Sequence, residues 1–114
     1  MQLINLTKDI VLAQDVFVAN TILTRARGLL GRKVFFSQQA LILDPCNAIH
    51  TFFMHFPIDV IFVDKDYKIL KLISGLRPNC ISKIYWQASK VIELPGGVLN
   101  ATKTQLLDQL QVSD

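Results

Sequence analysis

The stretch from Cys46 to Asp64, CNAIHTFFMHFPIDVIFVD, constrains the fold of this chain more than any other. It is dense in aromatic and β-branched residues, which are typical of pleated, partly buried strands. It also contains His50, His55 and Asp59, whose polar side chains are costly to bury without partners. We therefore expect this stretch to supply both core strands and part of a functional site, although nothing in it specifies a reaction.

The first half of the stretch predicts a strand from Ile49 to His55, and the second half a strand from Ile58 to Val63. Side chains alternate along a strand, so His50 and His55 would project from opposite faces. Two histidines placed in this way do not converge on one ion. We expect neither a metal site nor a cofactor.

Asp59 lies near the start of a predicted strand that is apolar on both faces. We expect it to be buried with a partner, which would be a cation, backbone amides or a hydroxyl. Arg25 or Arg27 is the natural cation because a guanidinium group can bind a carboxylate at two points. Two roles stay open: a structural ion pair or turn cap, and acid and base chemistry together with His50 or Glu93.

Glu93 lies in the segment VIELPGG, where Ile92 and Leu94 project to the opposite side. It is expected either to face water or to lie at the mouth of a pocket, just before the Pro-Gly-Gly turn. Gly96 and Gly97 do not make a phosphate loop, because the rest of that motif is absent.

Short apolar runs separated by turn residues continue through the rest of the chain. Asn20 to Arg32 is predicted as a short helix, and Thr102 to Leu110 as an amphipathic turn, with a strand at Leu110 to Val112 as the alternative. Further strands are predicted at Leu3 and Ile4, Ile10 to Val18, Ala40 to Leu43, Ile69 to Ile73, Cys80 to Tyr85, and Lys90 to Leu94. The pattern favours a mainly β sandwich or distorted barrel with one or two short helices.

The length of 114 residues and an apolar content of 51% favour a single domain over residues 1–114. No apolar run is long enough to cross a bilayer, and the N-terminus lacks the pattern of a signal peptide. We therefore expect a cytoplasmic protein without a membrane partner. Cys46 and Cys80 fit neither a zinc motif nor a disulfide framework, so we expect them to be thiols.

The net charge of +3 is unevenly distributed. One basic cluster comprises Arg25, Arg27, Arg32 and Lys33. Residues 65–90 contain six basic residues and Asp66 as the single acid, so either region could attract an anion. The second region also carries Tyr67, Tyr85 and Trp86. Nucleic-acid binding is therefore an alternative, although a weak one because no recognised binding motif accompanies the charge.

Three blocks have a distinctive order and spacing: Arg27-Gly28-Leu29-Leu30-Gly31-Arg32; Ile49 to Met54 continuing into Ile58 to Asp64; and Val91 to Gly97. In these blocks the chain resembles domain-of-unknown-function family 192, from about Ile10 to Val112. The resemblance implies a mainly β, jelly-roll-like domain. The motif positions that it implies are Gly28, Gly31, Arg32, Met54, Pro95, Gly96 and Gly97.

The chain departs from this family at several positions. The family often has methionine in place of Leu30, tryptophan in place of Phe53 and alanine in place of Gly96, and a Gly-Asp pair near Leu107-Asp108. The activity of the family is not established, so the resemblance implies a fold and motif positions but no reaction.

Taken together, the residues favour a small protein that binds a polar or anionic small molecule. The candidate ligand-binding residues are Arg25, Arg27, His50, Thr51, Asp59 and Glu93. An arginine would orient the ligand, and Asp59 would fix that arginine. The alternative is a small hydrolase or isomerase in which His50 is the general base and Asp59 or Glu93 its partner.

Overall fold

A computed structural model describes residues 1–19, 37–52 and 54–113 of the chain, which fold mainly into β-strands. One short helix, α1, spans Val98–Thr102. The strands within these ranges are β1 (Gln2–Asn5), β2 (Ile10–Ala13), β3 (Asp15–Ala19), β4 (Gln39–Leu43), β5 (Ile58–Val63), β6 (Ile69–Leu76), β7 (Lys90–Pro95) and β8 (Leu110–Ser113).

The described strands form two sheets. The smaller sheet has the order β2-β1-β8, and all of its pairs are antiparallel. The larger sheet has the order β3-β4-β7-β5-β6, in which β3 and β4 are parallel and the other neighbours antiparallel. The mainly β fold predicted from the sequence is confirmed, with two open sheets instead of a closed barrel among these strands. Jelly-roll connectivity stays a prediction.

The larger sheet has an apolar core on each face. One face, the sheet-covered face, packs against the smaller sheet and α1 through Ala40, Ile42, Ile61, Val63, Ile92 and Leu94. The other face, the loop-covered face, packs against residues of the 44–57 and 77–89 loops through Leu43, Ile58, Val60, Phe62 and Val91. Because both faces are covered, all six residues of β5 are buried, including Asp59, as the apolar residues on both faces of this strand predicted.

Two of the predicted strands are wrong. Ile49 to His55 and Cys80 to Tyr85 form no strands, and a single bridge between His50 and Ile81 links them. Cys80 N donates to the Thr51 hydroxyl, and the backbone amides of Thr51 and Ser82 donate to Cys80 O and Ile49 O. These long-range hydrogen bonds hold the two segments together without a continuous ladder and override the local β-propensity. The argument that His50 and His55 point to opposite faces of a strand therefore no longer holds.

Two other boundaries differ from expectation. Ile10 to Val18 is divided into β2 and β3. The predicted amphipathic turn at Thr102 to Leu110 is wrong, because the helix lies at Val98–Thr102 and β8 begins at Leu110, which was the alternative. The helix predicted at Asn20 to Arg32 lies outside the described residues.

A polar cluster joins β1 to the loop before β8. The Asp108 carboxylate accepts hydrogen bonds from Asn5 Nδ2 at 3.0 Å, Gln105 N at 2.9 Å and Lys8 Nζ at 3.0 Å. Burial alone would raise the pKa of Asp108, but these hydrogen bonds and the charge of Lys8 outweigh it and lower the pKa. Asp108 therefore stabilises this junction as a carboxylate.

Leu107 occupies a left-handed backbone conformation, with φ of 69°, although its side chain is 66% exposed. A leucine in this region is strained by about 1–2 kcal/mol, whereas glycine is not. Leu107→Gly is therefore expected to raise the free energy of unfolding by about 0.5–1 kcal/mol, after allowance for the greater freedom of glycine in the unfolded chain. Urea unfolding monitored by circular dichroism measures the change.

The matched control is Leu106→Gly, which removes an exposed leucine that lacks a positive φ. The free energy of unfolding of this variant is expected to fall by about 0.5–1 kcal/mol, because glycine raises the entropy of the unfolded chain and relieves no strain in the folded one. Equal losses in both variants would contradict the strain argument.

Candidate functional site

Glu93 lies on β7, the middle strand of the larger sheet, between Leu41 of β4 and Val60 of β5. Its side chain points to the loop-covered face and is only 3% exposed. Oε2 is buried and has no hydrogen-bond partner among the residues that the structure describes. The alternative in which Glu93 faces water is therefore wrong.

Burial raises the pKa of Glu93 to about 8. The cause is desolvation, because the neighbouring side chains on this face are mainly aliphatic and stabilise the neutral form over the charged one. At neutral pH the group is accordingly a carboxylic acid, which can donate one hydrogen bond and accept others. Such strongly shifted groups are concentrated at functional sites.

Asp59, on β5, is fully buried, as predicted, and its partners are backbone amides. Oδ1 accepts a hydrogen bond from Gly75 N at 2.9 Å. Oδ2 accepts one from Gly97 N at 3.1 Å and one from Leu99 N at 2.9 Å. Asp59 thus links the end of β6 to the N-terminus of α1, whose N-cap is Gly97.

The two buried carboxyl groups lie on opposite faces of the sheet. Asp59 pairs with Leu94 and shares the sheet-covered face, whereas Glu93 pairs with Val60 and shares the loop-covered face. The structure therefore does not bring Asp59 and Glu93 into one pocket. Arg25 and Arg27 lie outside the described residues, so the arginine expected beside Asp59 stays a prediction.

His50 and Thr51 lie in the 44–57 loop with different surroundings. His50 is exposed, stacks on Phe52 with 5.0 Å between the ring centroids, and accepts a long hydrogen bond of 3.4 Å from Phe52 N at Nδ1. Thr51 is buried; its hydroxyl donates to Arg77 O at 2.6 Å and accepts from Cys80 N at 2.9 Å. The His50 ring is thus accessible to a ligand, while the Thr51 hydroxyl joins two loops.

A cavity of about 510 Å³ lies at another place on the loops, where no sequence pattern predicts a site. Its lining combines polar and apolar residues: Asp44, Pro45, Cys46, Asn47, Ala48, Ala88 and Ser89. Nothing in their types or spacing matches a binding motif, and only the fold brings 44–48 next to 88–89. The thiols of Cys46 and Cys80 each donate to a carbonyl within their own loop.

Two features are absent from the described residues. No group of three or more His, Cys, Asp or Glu side chains comes together in a way that could hold a metal ion. No helix in the described ranges has the length and hydropathy to cross a membrane.

Comparison with known proteins identifies the family. The sequence profile of DUF192, described as uncharacterized ACR, matches residues 4–112. The chain belongs to the DUF192 family. UPF0127 protein PH1112 of Pyrococcus horikoshii is 30% identical in a 112-residue alignment that covers 96% of each chain.

Two solved structures share the fold of this DUF192 domain. A protein of unknown function from Novosphingobium aromaticivorans has a TM-score of 0.85 at 18% identity, covering 98% of this chain and 84% of its own. A Sinorhizobium meliloti protein described as a "putative transcription regulator" has a TM-score of 0.82 at 19% identity, with coverages of 96% and 89%. At these identities the likeness shows the fold alone.

The motif positions of the DUF192 family that the structure describes have structural roles. Met54 is buried in the core of the loop-covered face, and Pro95 ends β7. Gly97 has φ of 98°, a conformation that a side chain would strain. A Cβ added at Gly96 would lie 3.5 Å from Pro57 O, an ordinary contact, which is consistent with the alanine often found there in the family. Gly28, Gly31 and Arg32 lie outside the described residues.

Proposed function

We propose that this DUF192 domain is a binding protein that holds a small polar or anionic molecule at the loop-covered face, with Glu93 as its central contact. The observation that carries this proposal is the buried Oε2 without a hydrogen-bond partner among the described residues. An unpaired buried polar atom costs about 1–3 kcal/mol. A group kept at such a cost to stability is typical of a site maintained for function.

The chemistry of Glu93 narrows the ligand class. A neutral carboxylic acid donates a hydrogen bond to an oxygen of a carbonyl, carboxylate or phosphate group, and it accepts one from a hydroxyl or amide. The exposed ring of His50 can add a second contact near the surface. Arg25 and Arg27 are the proposed cations for an anionic ligand, because a guanidinium group binds such groups at two points.

A thermal-shift screen of small carboxylates, phosphates and sugars tests the proposal. A ligand present at about 100 times its dissociation constant should stabilise the wild type by about 2.7 kcal/mol. Glu93→Leu is expected to abolish that shift, since leucine fills the space but makes no hydrogen bond. Asp66→Asn is the control, because Asp66 is an exposed acid in the β5–β6 turn. A ligand that stabilises Glu93→Leu as much as wild type would contradict a role for Glu93.

The enzyme alternative has one observation in its favour. A carboxyl group with a pKa raised to about 8 is suited to general acid catalysis near neutral pH. However, His50 can share a pocket with at most one of the two carboxyl groups, because Asp59 and Glu93 face opposite sides of the sheet. Turnover of a ligand that the screen identifies would distinguish an enzyme from a binding protein.

Nucleic-acid binding is the weaker alternative because of where the aromatic side chains lie. The Tyr85 ring packs on Phe62 with 4.5 Å between centroids, and Tyr67 packs against the sheet-covered core with Lys90 Nζ 4.8 Å from its ring. Of the three aromatic residues in the basic region, Trp86 alone is well exposed. Successive stacking of bases needs more than one such ring.

A further inference from the structure

A group of large apolar side chains projects from the 77–89 loop into solvent. Ile81 is 69% exposed, Ile84 is 50% exposed and Trp86 is 79% exposed. Phe52 is also exposed, and it stacks on His50, whose backbone forms a bridge with Ile81. We call this group the apolar edge. Clustered exposed apolar residues of this kind mark interaction surfaces more often than single ones do.

The backbone beneath the apolar edge is held in place. Tyr85, between two of the exposed residues, points inward and packs on Phe62. Backbone hydrogen bonds connect the loop to the segment before β5: Thr51 N to Cys80 O at 2.8 Å, Ser82 N to Ile49 O at 2.9 Å, and Tyr85 N to Asn47 O at 2.9 Å. Because the loop backbone is held in place while Ile81, Ile84 and Trp86 point outward, these side chains are exposed in the folded protein itself.

The charged residues on the loop segments that carry the apolar edge are basic. These segments, residues 45–57 and 77–89, contain no Asp or Glu. The acid next to them, Asp44, is half-buried and lines the cavity beside Ala88. Lys83 is exposed between Ile81 and Ile84, and exposed Arg77 is tied through its carbonyl to Thr51, next to Phe52. A complementary partner is therefore both apolar and anionic.

Two other occupants fit this surface less well. A second copy meeting the edge about a two-fold axis would place Lys83 near its own copy, and no acidic residue of these segments could compensate. A nucleic acid would find Trp86 for stacking, but the isoleucines have no ring to offer a base. Aliphatic side chains, an indole ring and basic residues together are typical of segments that lie in the interface of a membrane.

We propose that the apolar edge docks on the surface of an anionic phospholipid bilayer. Ile81, Ile84 and Trp86 enter the headgroup region, and Lys83 and Arg77 contact the lipid phosphates. This surface contact does not involve Glu93, the central contact of the proposed ligand site. Docking on a membrane surface needs no membrane-spanning segment. The expectation of no membrane partner was based on the absence of a spanning segment and a signal peptide from the sequence, so it did not address this kind of contact.

The single tryptophan of the chain makes the test direct, because Trp86 reports on the edge itself. The full chain is mixed with phosphatidylcholine vesicles that contain or lack phosphatidylserine, and both sedimentation and tryptophan emission are measured. We expect co-sedimentation and a blue shift of the emission with the anionic vesicles only. Lys83→Glu is expected to reduce the apparent partition coefficient about fivefold or more.

Matched variants locate the contact. Ile81→Ser with Ile84→Ser should abolish co-sedimentation, while Leu106→Ser should bind as wild type does. Leu106 is similarly exposed, but it lies in the loop before β8. That loop is hydrogen-bonded to β1 of the smaller sheet, on the other side of the larger sheet. Circular dichroism confirms that each variant is folded.

Three results would overturn the proposal. The first is absence of binding to anionic vesicles, and the second is equal binding to both kinds of vesicle. The third is binding that the double serine variant retains. Sedimentation velocity tests whether the edge instead joins two copies of the chain. If the wild type is a dimer, the double serine variant a monomer, and neither binds vesicles, the edge is a self-association surface and the lipid contact is rejected.

Discussion

Glu93→Gln is expected to remove a fall in stability that the wild-type protein undergoes between pH 4.5 and about 8. The pKa of Glu93 is raised by burial from 4.5 to about 8 in the folded protein. Between those values the unfolded chain is ionised at this residue while the folded chain holds the proton. Stability therefore falls as pH rises, by about 1.4 kcal/mol per pH unit, and levels off above the folded pKa. The total is about 4–5 kcal/mol.

Urea unfolding at both ends of this pH range, for wild type and variant, measures the effect. Glutamine has nearly the same shape but no proton to lose, so the variant should be the more stable protein at the alkaline end. Asp66→Asn, which changes an exposed carboxylate, should follow the wild-type curve. Parallel curves for wild type and Glu93→Gln would mean that Glu93 ionises in the folded protein, as it would beside Arg25 or Arg27.

The same proton bears on ligand binding. An anionic ligand that accepts a hydrogen bond from Glu93 stabilises the protonated acid and raises its pKa further. Its affinity should therefore weaken as pH rises through about 8. The alkaline limit of stability and the alkaline limit of binding would then arise from one buried group.

The sequence predicted the burial of Asp59 because the residues on both faces of β5 are otherwise apolar. Neither face is then exposed to solvent, whichever one the Asp59 side chain occupies. It did not predict which groups satisfy the carboxylate. The amides of Gly75, Gly97 and Leu99 come from two distant turns, whose approach depends on how β6 and α1 pack. The periodicity of a strand shows which face of the sheet a side chain occupies. It does not show which backbone amides from other segments lie next to that side chain.

The relation between Asp59 and Glu93 shows a second limit. Each strand pattern gave the correct alternation, but the shared face depends on the register between β5 and β7, in which Asp59 is paired with Leu94. A shift of one residue would have placed the two carboxyl groups on the same face. The burial of Glu93 depends further on two irregular loops, which have no hydrophobic period to read. The strand predicted at Ile49 to His55 is wrong for a related reason, since the described residues of this segment belong to one of those loops and pair with the other loop only at His50 and Ile81.

Asp59→Asn is expected to lower the free energy of unfolding by about 3 kcal/mol or more, because hydrogen bonds to a charged group each contribute about 1.5–3 kcal/mol. The carboxylate accepts three amide hydrogen bonds, from Gly75, Gly97 and Leu99. Asparagine keeps one acceptor and turns a donor towards at least one of these N–H groups, which is then buried without a partner. Both glycines have left-handed backbones, with φ of 64° and 98°, so the turns cannot easily rearrange to find other acceptors.

Asp64→Asn is the matched control at the other end of the same strand. Asp64 Oδ1 also accepts two backbone hydrogen bonds, from Asp66 N at 2.8 Å and Lys68 N at 3.0 Å, but these are exposed to water. Its loss should be about 1 kcal/mol or less, because water replaces the missing partner. With roughly 4 °C per kcal/mol for a domain of this size, thermal unfolding should separate the two variants by about 8 °C or more. Equal midpoints would show that the three amides contribute little to the fold, and Asp59 would then join Glu93 as a carboxyl group retained for binding.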